Sequence, residues 1–222
     1  MLSVVLISPP GAGKSTQAAR IAARFSIPWI ATGEILRAAV RDDTALGRAA
    51  QGFVDHGAMV PDAVVIAMVT QRLTAPDCAS GFVLDGFPRT MIQAEALQRA
   101  GVRIDYVVEL TLDDAEAVRR LSGRRIHPAS GRTYHVVFQP PKVPDHDDVT
   151  GEPLVQRADD SDEAVRRRLT LYHEQTQPVL NYCRRWTVRD DGQVPQCLQV
   201  SAMGTPDDVA DRLAELLVAP PR

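Results

Sequence analysis

Lysine is nearly absent from this chain. Only Lys14 and Lys142 are lysines among the 25 basic residues, and arginine supplies the other positive charges. Lys14 follows Gly11 and Gly13, in a turn between an apolar run and a segment with helical propensity. Because lysine is so rare here, a lysine at this position indicates a specific role.

Cysteine is scarce as well. Cys78, Cys183 and Cys197 are odd in number and show no close pairing. They therefore support neither a disulfide framework nor a zinc site, and a reducing compartment is the simpler expectation.

Long hydrophobic runs and an excess of positive charge are also lacking. The N-terminal apolar run is only about six residues and leads directly into a loop, so it predicts neither a signal peptide nor a membrane span. The formal net charge of −3 disfavours a general nucleic-acid or membrane-surface binder. We expect a cytoplasmic protein with a small polyanionic ligand, because the arginines stand in short local clusters.

The stretch from Val4 to Thr16 predicts a strand, a loop and a helix. Apolar, partly β-branched residues up to Ile7 indicate a buried strand, which prolines and glycines then interrupt. The backbone N–H groups of such a loop form a nest for phosphate oxygens at the positive end of the following helix. Lys14 would reach the outer phosphates, and Ser15 or Thr16 would lie near a magnesium ion.

Ser8 departs from the phosphate-loop pattern, which requires a glycine at this position. A plain turn between a strand and a helix is the alternative interpretation. The departure raises the question of whether Ser8 can adopt the backbone angles that a glycine would take freely.

Strands and helices alternate along the rest of the chain. Further strands are predicted at 28–31, 81–85, 106–112 and 198–200, and helices at 44–56, 61–75, 162–185 and 206–218. Thr32 and Asp113 are expected to cap helices. This alternation predicts an α/β fold with a parallel five-stranded sheet flanked by helices. Asp85 ends a buried strand, where a carboxylate can hold a water of the magnesium shell.

Residues 123–160 differ in composition from the rest, with several prolines and short polar runs. A structureless loop of that length would be unusual inside a compact domain, so we predict an inserted lid with a small sheet of its own. The 222 residues otherwise suit one main domain with mobile subdomains.

Further motifs run nearly the whole length of the chain. The most specific is Asp-Gly-Phe-Pro-Arg at 85–89; others lie at 31–34, 60–62, 123–125, 147–153 and 165–169. Together with the lysine loop, these motifs resemble the adenylate kinase family, in particular its bacterial long-lid type.

The resemblance implies a phosphate-loop kinase with three parts. The core would comprise 1–30, 61–122 and 161–222, with a helical AMP-binding subdomain at 31–60 and a small β lid at 123–160. The implied activity is reversible transfer of the terminal phosphate of MgATP to AMP, giving two ADP, in nucleotide homeostasis. The implied protein is a monomer with ATP, AMP and ADP as partners, and with no nucleic-acid or membrane partner.

The resemblance also assigns site residues. The implied ATP contacts are Gly11, Ala12, Gly13, Lys14, Ser15, Thr16, Arg120, Arg124, Thr133, Tyr134 and Gly204. The implied AMP contacts are Thr32, Arg37, Ala58, Met59, Val60, Gly86, Phe87, Pro88, Arg89, Gln93, Arg157 and Arg168, with Gln93 at the adenine edge. The implied catalytic set is Lys14, Arg89, Arg124, Arg157 and Arg168.

The chemistry accounts for so many arginines. In-line transfer between two polyanions requires positioning and charge neutralisation more than covalent help from the protein. Guanidinium groups bind phosphate oxygens in pairs and stay charged. We predict no catalytic base, because a phosphate with a second pKa of about 6 is already largely ionised near neutrality.

Two metal predictions follow. Magnesium would arrive with ATP and be held through water by Asp85. Many long-lid relatives bind zinc in the lid through four cysteines, whereas the matching positions here are His127, Ser130, Asp147 and Thr150. We expect a hydrogen-bonded network and no structural zinc there, since the thiolates that zinc prefers are missing.

Several alternatives stay open at this point. A sibling kinase for UMP or CMP would share the loop and the arginines, and a nucleotide sensor would follow if Ser8 impaired the loop. Trp29 and Trp186 are interpreted as packing residues. Asp159 and Asp160 are either acids that pair with Arg124 or Arg168, or a helix-capping pair. Surface roles are expected for Arg119, Arg125, Arg166 and Arg167.

Overall fold

The computed structural model describes residues 2–55, 60–186 and 194–217. Its centre is a parallel five-stranded sheet with the strand order β2-β3-β1-β4-β7. These strands are β1 (Leu2–Ile7), β2 (Trp29–Ala31), β3 (Gly81–Asp85), β4 (Tyr106–Thr111) and β7 (Gln196–Ser201). The predicted sheet is confirmed.

Helices cover both faces of this sheet. They are α1 (Lys14–Phe25), α2 (Thr32–Arg41), α3 (Ala45–Asp55), α4 (Asp62–Leu73), α5 (Met91–Arg99), α6 (Asp114–Ser122), α7 (Asp162–Leu171), α8 (Gln177–Cys183) and α9 (Pro206–Leu216). Within the described ranges, no helix is long and apolar enough to cross a membrane.

Alternate residues of β1 pack into two apolar clusters. Val5 and Ile7 belong to one apolar cluster, with residues of α4, α5 and α8. Val4 and Leu6 belong to the other, with residues of α1 and α9. All six residues of β1 are buried, as expected for a central strand covered on both faces.

Helices α2 and α3 form a close pair beside the sheet edge. A Cβ at Gly47 would lie 1.9 Å from the backbone oxygen of Ala39, so only glycine allows this approach. The helix predicted at 44–56 is present as α3, over Ala45–Asp55. Thr32, however, is the first residue of α2 and not its cap, because Ala31 holds the cap position. The expected cap at Asp113 is confirmed, since its side chain accepts from the backbone N–H of Ala115.

A second, two-stranded antiparallel sheet lies in the segment predicted as a lid. It consists of β5 (Arg124–Ile126) and β6 (Thr133–His135), with Arg125 opposite Tyr134. This sheet is separate from the parallel one.

The predicted long helix at 162–185 contains an irregular turn. Helix α7 continues into a π-helical turn (Tyr172–Thr176), and α8 follows with Pro178 in its first turn. Proline lacks a backbone N–H and would break a regular helix, whereas the first turn of a helix accepts it.

Candidate active site

The loop between β1 and α1 is shaped by two glycines. Gly11 and Gly13 have φ values of 83° and 75°, in the left-handed region that glycine adopts freely. A Cβ at Gly11 would also lie 3.0 Å from the backbone oxygen of Ala117. The loop therefore leaves the first backbone N–H groups of α1 free to face an anion, as an anion-binding site at a helix N-terminus requires.

Ser8 fits this loop without strain. Among the described residues, the non-glycine positions with positive φ are Ser26, Asp43 and Asp145, and Ser8 is not one of them. Its side chain is buried, and its hydroxyl donates to the backbone oxygen of Pro9 at 3.0 Å. The loop thus does not need a left-handed residue at this position.

Lys14 and Asp85 form an ion pair at the carboxyl ends of β1 and β3. Burial alone would raise the pKa of Asp85, but the charge of Lys14 and hydrogen bonds from Lys14, Ser15 and Trp29 outweigh it and lower that pKa. Burial lowers the pKa of Lys14, and Asp85 opposes the shift. The carboxylate is therefore held ionised beside the loop.

Positive charges converge on this loop. The surrounding walls desolvate the guanidinium of Arg89 and, with the charge of Arg168, lower its pKa, although part of the side chain meets solvent. Burial and then the charges of Arg124 and Arg37 lower the pKa of Arg157. Such shifts do not deprotonate arginine, and after burial their cause is repulsion between cations that lie near one another.

Two acids from the segment before α7 hold part of this cluster. Asp160 is fully buried and binds Arg124 through two hydrogen bonds of 2.8 and 2.6 Å. Arg168 lies 3.1 Å from a carboxylate oxygen of Asp159 and 3.6 Å from one of Asp160. Of the two alternatives for these acids, pairing with arginine is therefore correct, and Ser161 is the residue that caps α7.

The turn after β3 is fixed by backbone contacts. The hydroxyl of Thr32 donates to the backbone oxygens of Asp85 and Gly86, at 3.2 and 3.1 Å. Gly86 has a φ of 85°, and a Cβ there would lie 2.8 Å from that hydroxyl. Arg89 Nε donates back to Gly86 at 2.9 Å, across the buried Phe87 and Pro88. Thr32 and Arg89 are thus locked to one turn.

Gln93 extends this arrangement into α5. Its Oε1 accepts from the backbone N–H of Arg89, and its Nε2 donates to Asp62, both at 2.7 Å. The side chain is 2 % exposed, so it is not a plain surface residue of the helix. Of the three neighbouring residues expected to contact AMP, Val60 is buried, and Ala58 and Met59 lie outside the described residues.

The other residues expected to contact ATP lie in two places. Arg120 donates to the backbone oxygen of Ala202 at 3.0 Å, which brings it next to the segment that contains Gly204. Gly204 has a φ of 100°, and a Cβ there would lie 2.7 Å from Asp208 Oδ2. Thr133 and Tyr134 lie instead on β6 of the small sheet.

The four lid positions meet in a hydrogen-bonded network. His127 Nδ1 lies 2.7 Å from Ser130 Oγ, and Thr150 Oγ1 donates to Asp147 at 3.0 Å. Asp147 also accepts from the hydroxyl of Tyr134 and binds both arms of the Arg132 guanidinium. Those contacts are 2.9 Å for the hydroxyl and 2.8 and 2.6 Å for the guanidinium. All oxygens of this carboxylate are thus already engaged by donors.

Two contacts at the site were not predicted from the sequence. The indole N–H of Trp29 donates to Asp85 Oδ2 at 3.2 Å, a polar contact in addition to the packing role expected for this residue, while Trp186 is 1 % exposed and packed as predicted. The hydroxyl of Thr176 donates to the backbone oxygen of Arg89 at 3.0 Å. Strand register would have placed Trp29 and Asp85 on one face of adjacent strands, but no local signal indicated Thr176.

A lysine loop at the end of a central parallel strand, an acid on the neighbouring strand and converging arginines define a phosphate-loop phosphotransferase. A protein-family model described as adenylate kinase matches residues 6–188. The match covers most of the chain, which therefore belongs to the adenylate kinase family. The protein is an ATP:AMP phosphotransferase that transfers phosphoryl groups between adenine nucleotides.

Proposed function

We propose that the phosphoryl group passes from MgATP to AMP in the cleft between the lysine loop, the turn after β3 and the lid. Residues 31–60 would form the AMP-binding subdomain and residues 123–160 the lid that closes over ATP. Residues 1–30, 61–122 and 161–222 would form the core. We also propose that the protein works as a monomer in the cytoplasm, with ATP, AMP and ADP as its small-molecule partners.

The observation that carries this proposal is the convergence of cations. The charges of Arg89 and Arg168 act on Lys14, and those of Arg124 and Arg37 act on both Arg157 and Arg168. Asp85 offsets part of this repulsion at Lys14, and Asp159 and Asp160 offset part of it at Arg168. Holding so many like charges together is unfavourable unless an anion neutralises them. Two facing nucleotides bring several phosphates into that space, and the transferring group carries charge that the guanidinium groups can stabilise.

Each assigned residue has a role in this proposal. Lys14 and the N–H groups from Gly11 to Thr16 bind the phosphates of ATP. Arg89 and Arg168 neutralise the transferring group, together with Arg124 and Arg157 as the lid closes. Thr32, Arg37, the backbone from Ala58 to Val60, the turn from Gly86 to Arg89, and Gln93 would hold AMP. Arg120, Thr133 and Tyr134 would contact ATP as the lid closes, and Gly204 would lie by its adenine.

The donors beside the loop suit magnesium. Asp85 offers a buried carboxylate held ionised, and Ser15 offers a hydroxyl next to it. Magnesium prefers hard oxygen ligands and keeps most of its waters, so a carboxylate that contacts one of those waters fits it. The bound ion supplies charge neutralisation of the phosphates, and Asp85 orients its water shell.

We propose that the lid is held by hydrogen bonds and not by zinc. The four positions offer one imidazole, one carboxylate and two hydroxyls, and Arg132 already neutralises the carboxylate. Zinc favours thiolate and imidazole ligands, so this set is a poor site for it. Metal analysis of the purified protein tests this: a stoichiometric amount of zinc would contradict it.

Two neighbouring arginines allow a sharp test of the cation cluster. Arg168 faces the cleft acids, whereas Arg167 makes an exposed 2.9 Å pair with Glu163 on the same helix. We expect Arg168→Gln to lower kcat for ADP formation from ATP and AMP by about 100-fold or more, as loss of a transition-state contact does. Arg167→Gln should leave kcat within about twofold, because exposed pairs contribute little.

The same assay separates the rival functions. A sensor would lose only nucleotide affinity in Arg168→Gln and would show no turnover to lose. A UMP or CMP kinase would turn over those monophosphates faster than AMP in the wild-type protein.

A further inference from the structure

Trp29 occupies an unusual position for a large aromatic residue. It lies on β2, the edge strand of the parallel sheet, and its side chain is 39 % exposed. Among the described residues, it belongs to none of the apolar clusters that pack against the sheet. The specific contact that the structure shows for Trp29 is its hydrogen bond to Asp85.

Strand register explains how Trp29 reaches Asp85. In the parallel pair of β2 and β3, Ala31 lies opposite Asp85 and Trp29 lies opposite Val83. Side chains two residues apart point to the same face of a strand, so Trp29 and Asp85 share one face of the sheet as diagonal neighbours. Trp29, the first residue of β2, thus places its indole N–H next to the carboxylate of Asp85 at the end of β3.

The two oxygens of Asp85 are bound by different partners. Lys14 binds Oδ1, whereas Trp29 donates to Oδ2 at 3.2 Å. In the proposed reaction Lys14 binds phosphate, and Asp85 then orients a water of the magnesium shell. A carboxylate that exchanges one partner keeps its orientation only if its other oxygen is held.

We propose that Trp29 is a positioning residue that holds Asp85 through Oδ2, so that the carboxylate keeps its orientation when Lys14 leaves Oδ1 to bind phosphate. This inference rests on the proposed role of Asp85. Trp29 suits the task because the indole nitrogen is only a donor and cannot compete with the carboxylate for the lysine or for the metal. Its ring is fixed by few torsions, so the donor is held in place at a low entropic cost.

Three variants separate the hydrogen bond from the bulk of the ring. Trp29→Phe keeps an aromatic ring and removes the N–H. Trp29→Gln removes the ring and restores a side-chain N–H that stands the same number of bonds from Cα as the indole nitrogen. Asp85→Asn tests the carboxylate itself.

The first readout is binding, measured by calorimetry with ATP in the presence of magnesium and, separately, of a metal chelator. We expect Trp29→Phe to weaken the magnesium-dependent gain in ATP affinity by about three- to tenfold, since it loses one hydrogen bond to a charged group at a partly exposed site. Metal-free ATP binding should change by less than about twofold. Trp29→Gln should lie closer to the wild type than to Trp29→Phe.

The second readout is fluorescence, because Trp29 and Trp186 are the two tryptophans of the chain. Trp186 is 1 % exposed in the core, so an emission change that needs both ATP and magnesium should come from Trp29. We expect this change in the wild type and its loss in Trp29→Phe.

The outcomes are distinguishable. If Asp85→Asn leaves the magnesium-dependent gain unchanged, the proposed role of Asp85 fails. If Asp85→Asn removes that gain while Trp29→Phe keeps it, the proposed function stands and the inference about Trp29 is overturned. Equal impairment in Trp29→Phe and Trp29→Gln, with equally lowered melting temperatures, would assign Trp29 a packing role and overturn the inference as well.

Discussion

Ser8, directly after β1, and Ser26, at the end of α1, are two serines with opposite backbone demands. Ser8 precedes the loop and lies outside the left-handed region, and its hydroxyl donates to Pro9. Ser26 ends α1 with a φ of 52°, a conformation that favours glycine. The backbone conformation at Ser8 therefore does not require a glycine.

Replacing each serine by glycine should have opposite effects on stability. We expect Ser8→Gly to lower the free energy of unfolding by about 0.5–1 kcal/mol, because glycine gains more freedom in the unfolded chain. Ser26→Gly should leave stability unchanged or raise it by a few tenths of a kcal/mol, because it relieves the left-handed strain. Urea unfolding measures the stability of the two variants, and ADP formation measures their activity. A large gain of activity in Ser8→Gly would show that the serine does impair the loop.

Individual side chains mark the limit of what the sequence predicts. Buried strands, the lysine loop and Asp85 are evident because each has a local pattern of apolar residues and glycines. The hydroxyl of Thr32 was expected to cap a helix, but it bonds to the end of β3 instead. The partner of Trp29 was missed for the same reason: such bonds join residues far apart in sequence, and local propensity carries no information about them.

The π-helical turn between α7 and α8 connects three parts of the molecule. The hydroxyl of Tyr172 donates to Glu109 of β4 at 3.4 Å, and His173 lies 3.0 Å from Asp114 of α6. The hydroxyl of Thr176 donates to the backbone of Arg89. Irregular turns of this kind often occur at functional sites, and this one ties Arg89 to the helix that carries Arg168.

Removal of the Thr176 hydroxyl tests this connection. Thr176→Val keeps the shape of the side chain and should lower kcat by about three- to tenfold, the effect of one hydrogen bond that orients Arg89 in the transition state. The matched control is Thr170→Val, whose hydroxyl bonds only within its own helix, to the backbone of Arg166 at 3.2 Å. Equal kcat values in the two variants would contradict a positioning role for the turn.

The hydrogen-bonded network of the lid is centred on the carboxylate of Asp147. Hydrogen bonds from Arg132, and then from Thr150 and Tyr134, hold the pKa of Asp147 far below its ordinary value. A carboxyl whose pKa is lowered by folding contributes stability above its unfolded pKa of about 3.9, and this contribution is lost as the pH falls through the folded value. The contribution of Asp147 to the stability of the lid should therefore be complete above about pH 4 and decline progressively below it.

Asp147→Asn removes this contribution. We expect amide hydrogen exchange in β5 and β6 to be much faster in the variant than in the wild type near pH 7, and the difference to shrink below about pH 4. Asp145→Asn is the control, because Asp145 is an exposed lid carboxylate 3.8 Å from Arg125. Faster exchange throughout the parallel sheet in Asp147→Asn would contradict a local role.

The distribution of charge over the whole molecule is uneven. The chain carries a net charge of −3, yet its cleft gathers Lys14, Arg89, Arg124, Arg157 and Arg168 around few acids. Composition alone disfavoured a long polyanion as a ligand, but it could not show this convergence. The convergence exists only after β1, β3, the lid and α7 are folded together. Repulsion among these cations opposes folding, so an anion that binds them should stabilise the native state.

Inorganic tripolyphosphate should therefore raise the melting temperature without any nucleoside. At about 100 times its dissociation constant, binding to the native state contributes about 2.7 kcal/mol. For a chain of this length, that corresponds to roughly 5–10 °C. Sodium chloride at the same ionic strength should give no comparable rise, since it only screens the cluster. In Arg168→Gln the shift should be clearly smaller, while Arg167→Gln should keep it. An equal shift in both variants would mean that the anion binds elsewhere on the surface, and the cleft would then not be the anion site that the converging cations indicate.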